Sequence, residues 1–272
     1  MQHLLDLLTG RSEEPCLDRA ALEMARIEYP SLDIEPFIGI LDAYAAELNR
    51  RLAGGSGGRG YVDAANEYLF GELGFTGNSA HYYDPRNSCL NDVLTARTGI
   101  PITLAVVYLE IGRRLARPVY GIGLPGHFLV QYRDAEFAAF IDVFNGGRLL
   151  SPEECFELAR QSTGVAVRDD PRMLAPAGKR QIVTRMLHNL RAVYLGGRAY
   201  GKALRTLDLL VAADPQAAEE YKLRGMVHLQ MRKPVAARAD LEAYLRLAPE
   251  AEDREEIERR LGDLRKYQAG LN

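Results

Sequence analysis

His127 and Asp142 are the residues of this chain whose types and spacing best suit proton transfer. His127 opens a β-like run at 127–133, Asp142 lies in the next run at 137–144, and only the polar Asp134-Ala135-Glu136 separates the two. A tight antiparallel pairing of these runs sets both side chains next to each other on one face. An imidazole oriented by a carboxylate supplies two parts of a thiol-dependent acyl-transfer site. The third part is a cysteine of lowered pKa, favoured at a helix N-terminus because the helix dipole stabilises the thiolate.

Three positions bear on that third part. Pro101 suits the first residue of a helix over 101–115 but carries no nucleophilic atom. Thr103, one turn in, offers a hydroxyl, although its ordinary work there is to bond the helix start or a neighbouring carbonyl. Cys89 lies 12 residues before Pro101, near the start of a short helix running through Arg97 and capped by Asn87 or Ser88. It is either the nucleophile or a small buried hydrophobe. Asn87, Pro101, Thr103, Phe128 and Asn145 are the candidate pocket residues around the pair. The alternative for His127 and Asp142 is purely structural, the carboxylate satisfying a partly buried ring. Pro125-Gly126 before the histidine and Phe144-Asn145-Gly146-Gly147 beyond the aspartate read as tight turns.

Helices and strands must hold these groups. From Glu14 to Leu52 apolar residues recur at helical spacing (Leu17, Ala21, Met24, Ala25, then Ile38, Leu41, Ala45, Leu48), interrupted at Pro30 and Pro36, which predicts two packed helices. GGSGGRG at 54–60 follows no strand and lacks the Lys-Ser/Thr of a phosphate loop, so it reads as a flexible connector. Tyr61 to Leu73 reads as another helix. The helix at 101–115 presents Leu104, Val107, Tyr108 and Ile111 on one face, and β-like runs follow at 118–123, 127–133 and 137–144. The expected fold class is α+β, a helix packed on an antiparallel sheet.

At about residue 170 the texture changes, with RDDPRMLAPAGK rich in proline and charge and everything beyond it helical. The expected domains are 1–170 and 178–272. In the second, Ala203-x3-Leu207-x7-Pro215 returns as Ala237-x3-Leu241-x7-Pro249, a period of 249 − 215 = 34 residues, that of a tetratricopeptide repeat. Ala203, Ala237 and Gly225 stand where helices approach closely, Arg191 occupies the corresponding small-residue slot of the first repeat, and Arg224 replaces a usual apolar residue. Residues 250–268 suit a solvating end-cap helix. Stacked repeats expose a concave face, toward which Arg185, His188, Lys222 and Met226 are expected to point; the alternative is that the segment only braces the N-terminal half.

Composition narrows the function classes. With 272 residues, a net charge of −3 and a pI near 6.0, the chain has no field to draw nucleic acid, and its cations are scattered. No stretch approaches 18 apolar residues and the N-terminus lacks a basic leader, so no membrane association and a cytoplasmic location are expected. Cys16, Cys89 and Cys155 are too few and too far apart for a disulfide framework or a zinc site. His81, among Tyr82, Tyr83, Asp84 and Arg86, lacks the further ligands that a metal needs. No metal and no cofactor are expected; oligomeric state is left open.

The blocks GN-x3-YYDPRNS-x-LN, RTGIPITL, LPGHF and IDVFNGG resemble the signature blocks of the transglutaminase-like domain of bacterial SirB-type proteins, which carry a C-terminal tetratricopeptide segment. The likeness extends over almost the whole chain. In catalytic transglutaminase-like domains a G-x-C motif opening the helix holds the nucleophile, with histidine and aspartate on successive strands. That pattern falls here on Gly99-Ile100-Pro101, His127 and Asp142. The resemblance therefore implies a catalytically silent domain that binds a protein or peptide partner in a regulatory role. The alternative is a cysteine hydrolase or acyltransferase using Cys89, His127 and Asp142.

Overall fold

The computed structural model describes residues 1–11, 16–52 and 57–269. Contacts divide the chain into two compact units, Met1–Leu7 with Ser12–Met186 and Leu8–Arg11 with Leu187–Asn272. The division falls inside a helix rather than in the proline-rich stretch near 170. Ile182, Val183 and Met186 at the start of that helix are all but fully buried, so burial carries the first unit past its last loop.

In the first unit, helices α1 (Gln2–Thr9), α2 (Leu17–Ala25), α3 (Glu35–Arg51) and α4 (Gly58–Asn66) come first, α4 continuing as a π-helical turn over Glu67–Glu72. Residues 54–56 of the expected connector lie outside the described residues. From Gly58 the chain is helical rather than a linker, because Gly58 is buried against Tyr132, where a Cβ would come 2.5 Å from the ring.

Strand β1 (Thr76–Gly77), a 3-10 turn (Pro85–Ser88), α5 (Leu90–Ala96), β2 (Thr98–Gly99) and α6 (Pro101–Arg114) follow. β1 and β2 pair in parallel, Thr76 with Thr98 and Gly77 with Gly99. Asn87 and Ser88 do not cap α5. Pro85 starts its own tight turn, capped by Asp84, whose carboxylate accepts from the Arg86 amide, and the N-cap position of α5 falls on Cys89, which makes no side-chain cap bond.

Pro101 is the first residue of α6, where its fixed φ and missing N–H cost nothing. Every residue from Pro101 to Gly112 is buried, so α6 is a central helix, not one with a single apolar face. The sheet covers one side; α2, α3 and α5 cover the other. Its one buried acid, Glu110, is held by Arg113 (2.7 Å) and Arg114 (2.9 Å), and Arg114 reaches on to Asp18 of α2 (2.7 Å) and Asp42 of α3 (2.6 Å).

The four-stranded antiparallel sheet runs β3 (Val119–Leu124), β4 (His127–Arg133), β5 (Ala138–Asp142) and β6 (Arg148–Leu150), each strand beside the next in sequence. The run expected at 137–144 ends early, at Asp142, because a 3-10 turn takes Val143–Asn145. β6 and helix α7 (Pro152–Thr163) escaped the sequence reading, although α7 opens with a capping box: Ser151 Oγ accepts from the Glu154 amide while the Glu154 carboxylate accepts from the Ser151 amide. Cys155 and Ala159 of α7 close a core cluster with Ile122, Leu124, Leu129, Phe140 and Leu150.

Helix α8 (Lys179–Gly196) leads into the second unit, which holds α9 (Tyr200–Ala213), α10 (Ala218–Gln230), α11 (Pro234–Leu247) and α12 (Arg254–Ala269). Ala203, Ala237, Leu207 and Leu241 are fully buried, and a Cβ on Gly225 would meet Leu241 at 3.0 Å and the Ala237 carbonyl at 3.3 Å. Close approach thus explains the small residues of the repeat. The two arginines that break the pattern have acidic partners: Arg191 pairs with Glu220, and Arg224 grips Asp240 through two nitrogens (2.9 and 2.7 Å) and Asp208 at 2.9 Å.

Candidate functional site

His127 follows the Pro125-Gly126 turn, where Gly126 takes a φ of +70° and lies against Ser162 so closely that a Cβ would come 2.8 Å from that side chain. The register pairing Val130 with Ile141 carries Asp142 to the level of Leu129, on the same face as His127. His127 Nε2 lies 2.9 Å from Asp142 Oδ1, and the residues are 6% and 2% exposed. Asp142 also accepts from the Phe144 amide (3.2 Å) and from Asn145 Nδ2 (2.7 Å). Burial by itself would raise the pKa of Asp142, but the hydrogen bond and charge of His127, together with the Asn145 donors, hold it below the usual carboxylate range. An ionised carboxylate accepts only, so the Nε2 that faces Asp142 carries a proton and Nδ1 is the ring nitrogen left for a ligand. Among the described residues Nδ1 makes no hydrogen bond.

Asn87 organises the approach to this pair. Its Nδ2 donates to the carbonyls of His81 (2.7 Å) and Tyr82 (3.1 Å), and its Oδ1 accepts from Asn78 Nδ2 (3.0 Å). The Asn87 carbonyl accepts from Thr103 Oγ1 at 2.6 Å, and the same hydroxyl also reaches the Ile100 carbonyl at 3.1 Å. Thr103 is fully buried and clamps the start of α6 to the turn before α5. The loop so held carries Tyr82, whose ring meets Phe144 edge-on at 6.2 Å, and Phe144 in turn meets His127 edge-on at 6.0 Å. His81, Asp84 and Arg86 border a wide cleft of about 640 Å³ with Glu28 and Tyr29.

The other candidates divide. Pro101 begins α6, as the spacing predicts. Asn145 is on the site as a donor to Asp142. Phe128, which follows His127 on β4, points to the opposite face and packs against Gly121 and beneath the Arg185 guanidinium, so it belongs to the core rather than to a pocket. Cys89 is fully buried and lies within electrostatic reach of the Tyr29 hydroxyl, which hydrogen-bonds Asp92. Cys155 is buried too, and its thiol is pushed up to about 12, by burial first and then by Glu154 and Asp142.

The four residues expected in a repeat groove fall in different units. Arg185 belongs to the first unit and donates to the carbonyls of Leu124 and His127. In the second unit His188 is exposed, 3.5 Å from Glu220, whereas Lys222 is turned to Asp253 (2.8 Å) and lies over the Tyr244 ring, and Met226 is partly buried. Asn78, the ring contacts of Phe144 and the placement of Arg185 escaped the sequence reading; Arg185 joins the His127 carbonyl from 58 residues away, while the first two show no pattern that marks their contacts. Among the described residues no group of three or more His, Cys, Asp or Glu side chains could hold a metal, and no helix is long and apolar enough to cross a membrane.

A buried histidine–aspartate pair on an antiparallel sheet, a central helix packed on that sheet and helical repeats later in the chain define a transglutaminase-like domain followed by tetratricopeptide repeats. The model of the transglutaminase-like superfamily matches residues 36–188, and a tetratricopeptide repeat model matches residues 190–262. The UPF0162 protein of Xylella fastidiosa (strain 9a5c) is 38% identical over 261 residues, covering 95% of this chain and 93% of that protein. The UPF0162 protein of Pseudomonas aeruginosa is 29% identical over 266 residues, 97% of this chain and 95% of that protein. Human F-box only protein 21 is 31% identical over 183 residues, 62% of this chain but 28% of its own length. The chain belongs to the UPF0162 family, consistent with the SirB-type resemblance of its motifs. Tetratricopeptide repeats generally mediate protein–protein interaction, and the chain carries them.

Proposed function

We propose that this protein is a protein- or peptide-binding regulatory module whose transglutaminase-like domain keeps the histidine–aspartate pair but does no acyl transfer. The observation that carries this reading is Pro101 as the first residue of α6, where the family pattern has its cysteine, while His127 and Asp142 stand 2.9 Å apart. An imidazole with no thiol to deprotonate keeps one use, which is to hold a hydrogen-bonding ligand through Nδ1. The two substitutes for the nucleophile are poorly suited. Thr103 has its hydroxyl proton engaged with two carbonyls, and Cys89 is enclosed at the start of a helix of only seven residues, facing the Tyr29 and Asp92 neighbourhood. A thiolate there would gain little from so short a helix dipole.

The test is thiol reactivity joined to binding. With an alkylating probe at neutral pH, Cys89 should react no faster than Cys16 or Cys155. Partner capture by the full chain should survive Cys89→Ala and fall on His127→Ala. Selective Cys89 labelling that disappears with His127→Ala would instead establish a cysteine hydrolase or acyltransferase.

A further inference from the structure

Arg185 is a half-buried guanidinium that no carboxylate meets among the described residues. Its Nη2 donates to the carbonyls of Leu124 (2.8 Å) and His127 (2.6 Å), closing the mouth of the β3–β4 hairpin, and the cation lies 5.4 Å from the centre of the Phe128 ring. Carbonyl dipoles and a ring face offset part of the desolvation cost, which still pulls the guanidinium's pKa below its ordinary value. Of its five N–H donors, these bonds engage one nitrogen. Nη1 faces Gly123, where a Cβ would stand 3.2 Å away, so a glycine keeps that edge of the fork uncrowded. The Tyr82 phenol is within electrostatic reach of the same cation and, through Phe144, in ring contact with His127.

We infer that Arg185 forms a carboxylate-binding site at the mouth of the β3–β4 hairpin, beside the His127 carbonyl, which makes the ligand of the first unit an acidic one, bound through a C-terminal carboxylate or an Asp or Glu side chain. The planar fork is built for two oxygens, and a carboxylate would supply the counter-charge that the protein itself withholds. This inference rests on the binding function proposed above and names the chemistry of what is bound. The rival account is that Arg185 only closes the hairpin, in which case no anion should depend on it.

The experiment is a titration of the full chain with N-acetylglycine and its amide, and with the α-amide of N-acetylglutamic acid, whose side-chain acid is free, and its neutral match N-acetylglutamine amide, followed by NMR at the Arg185 Nε–H and the Tyr82 and His127 amides. Expected is saturable movement of all three by the acids and binding of the matched neutral amides weaker by about tenfold or more, the loss that follows when a charge-assisted pair is removed. Whether the terminal or the side-chain acid binds more tightly identifies the source of the carboxylate. Arg185→Gln should abolish the response and Arg185→Lys should weaken it, both in protein whose cooperative unfolding shows that it is folded. Acid and amide of equal affinity would overturn the carboxylate site while leaving a ligand pocket at His127 intact. An unchanged midpoint in Arg185→Gln would do the same. No movement by any compound at the three probes would defeat both the carboxylate site and the pocket.

Discussion

Gly77 lies flat against Phe144, so closely that a Cβ on the glycine would stand 2.5 Å from two carbons of the ring. Phe144 is the aromatic neighbour of His127, so β1, which is only two residues long, sets the position of the site through a missing side chain. Gly77→Ala must push that ring aside. A cost of about 1–3 kcal/mol is expected from such overpacking, read by urea unfolding, with a shift of the His127 ring resonances in the folded protein. An unshifted histidine would separate Gly77 from the site.

Asp142→Asn removes the charge that orients His127. A loss of about 1–3 kcal/mol at neutral pH is expected, the range for a buried group deprived of a good partner. The pH dependence has a definite sign. The pKa of Asp142 in the folded protein is below the ordinary aspartate value, so its contribution is complete above the unfolded value and disappears as pH falls through the folded one. The stability gap between wild type and variant should therefore be full at pH 7 and close progressively below about pH 4. A gap that widened on acidification would contradict the ionised assignment.

Asn87→Ala frees the carbonyls of His81 and Tyr82 together with the Asn78 amide. Hydrogen exchange over residues 80–84 should quicken in this variant while the amides of β4 stay protected. Thr103→Val keeps the shape of the side chain and deletes only its donated bonds, at a cost of about 1–2 kcal/mol. If neither change altered the loop, its order would have to come from the Tyr82–Phe144 contact alone.

In the second unit, Arg224→Ala leaves Asp240, 5% exposed, without its two-pronged partner. Destabilisation of about 3–5 kcal/mol is expected, because the surviving charge is left in a site of low polarity. Adding Asp240→Asn should recover part of it. Calorimetry of both variants checks this, and additive losses would show that the two residues are not coupled.

Much of this fold is legible in the residue pattern because it depends on local chemistry. Pro101 suits the first turn of a helix, a β-like run at 127–133 marks β4 at its observed limits, and a spacing of 34 marks the repeats. The short separation of His127 and Asp142 also made their pairing readable, since a tight hairpin leaves few registers. The capping box at Ser151 and Glu154 was present in the sequence, yet the short β6 before it gave too few residues for a period to show.

Other features depend on what packs around an element, which no local pattern records. One apolar face was legible on α6, but burial on all sides follows from α2, α3, α5 and the sheet closing over it, with Glu110 tolerated because Arg113 and Arg114 reach it. Arg185 reads as a residue of the repeat groove, and only the tertiary structure brings its guanidinium 58 residues back to the His127 carbonyl. Phe128 sits beside the histidine in sequence and on the other side of the sheet in space. Sequence determines which groups are available and what backbone shape each stretch prefers; long-range packing decides which of them meet, because burial and charge compensation are properties of neighbours rather than of the residue itself.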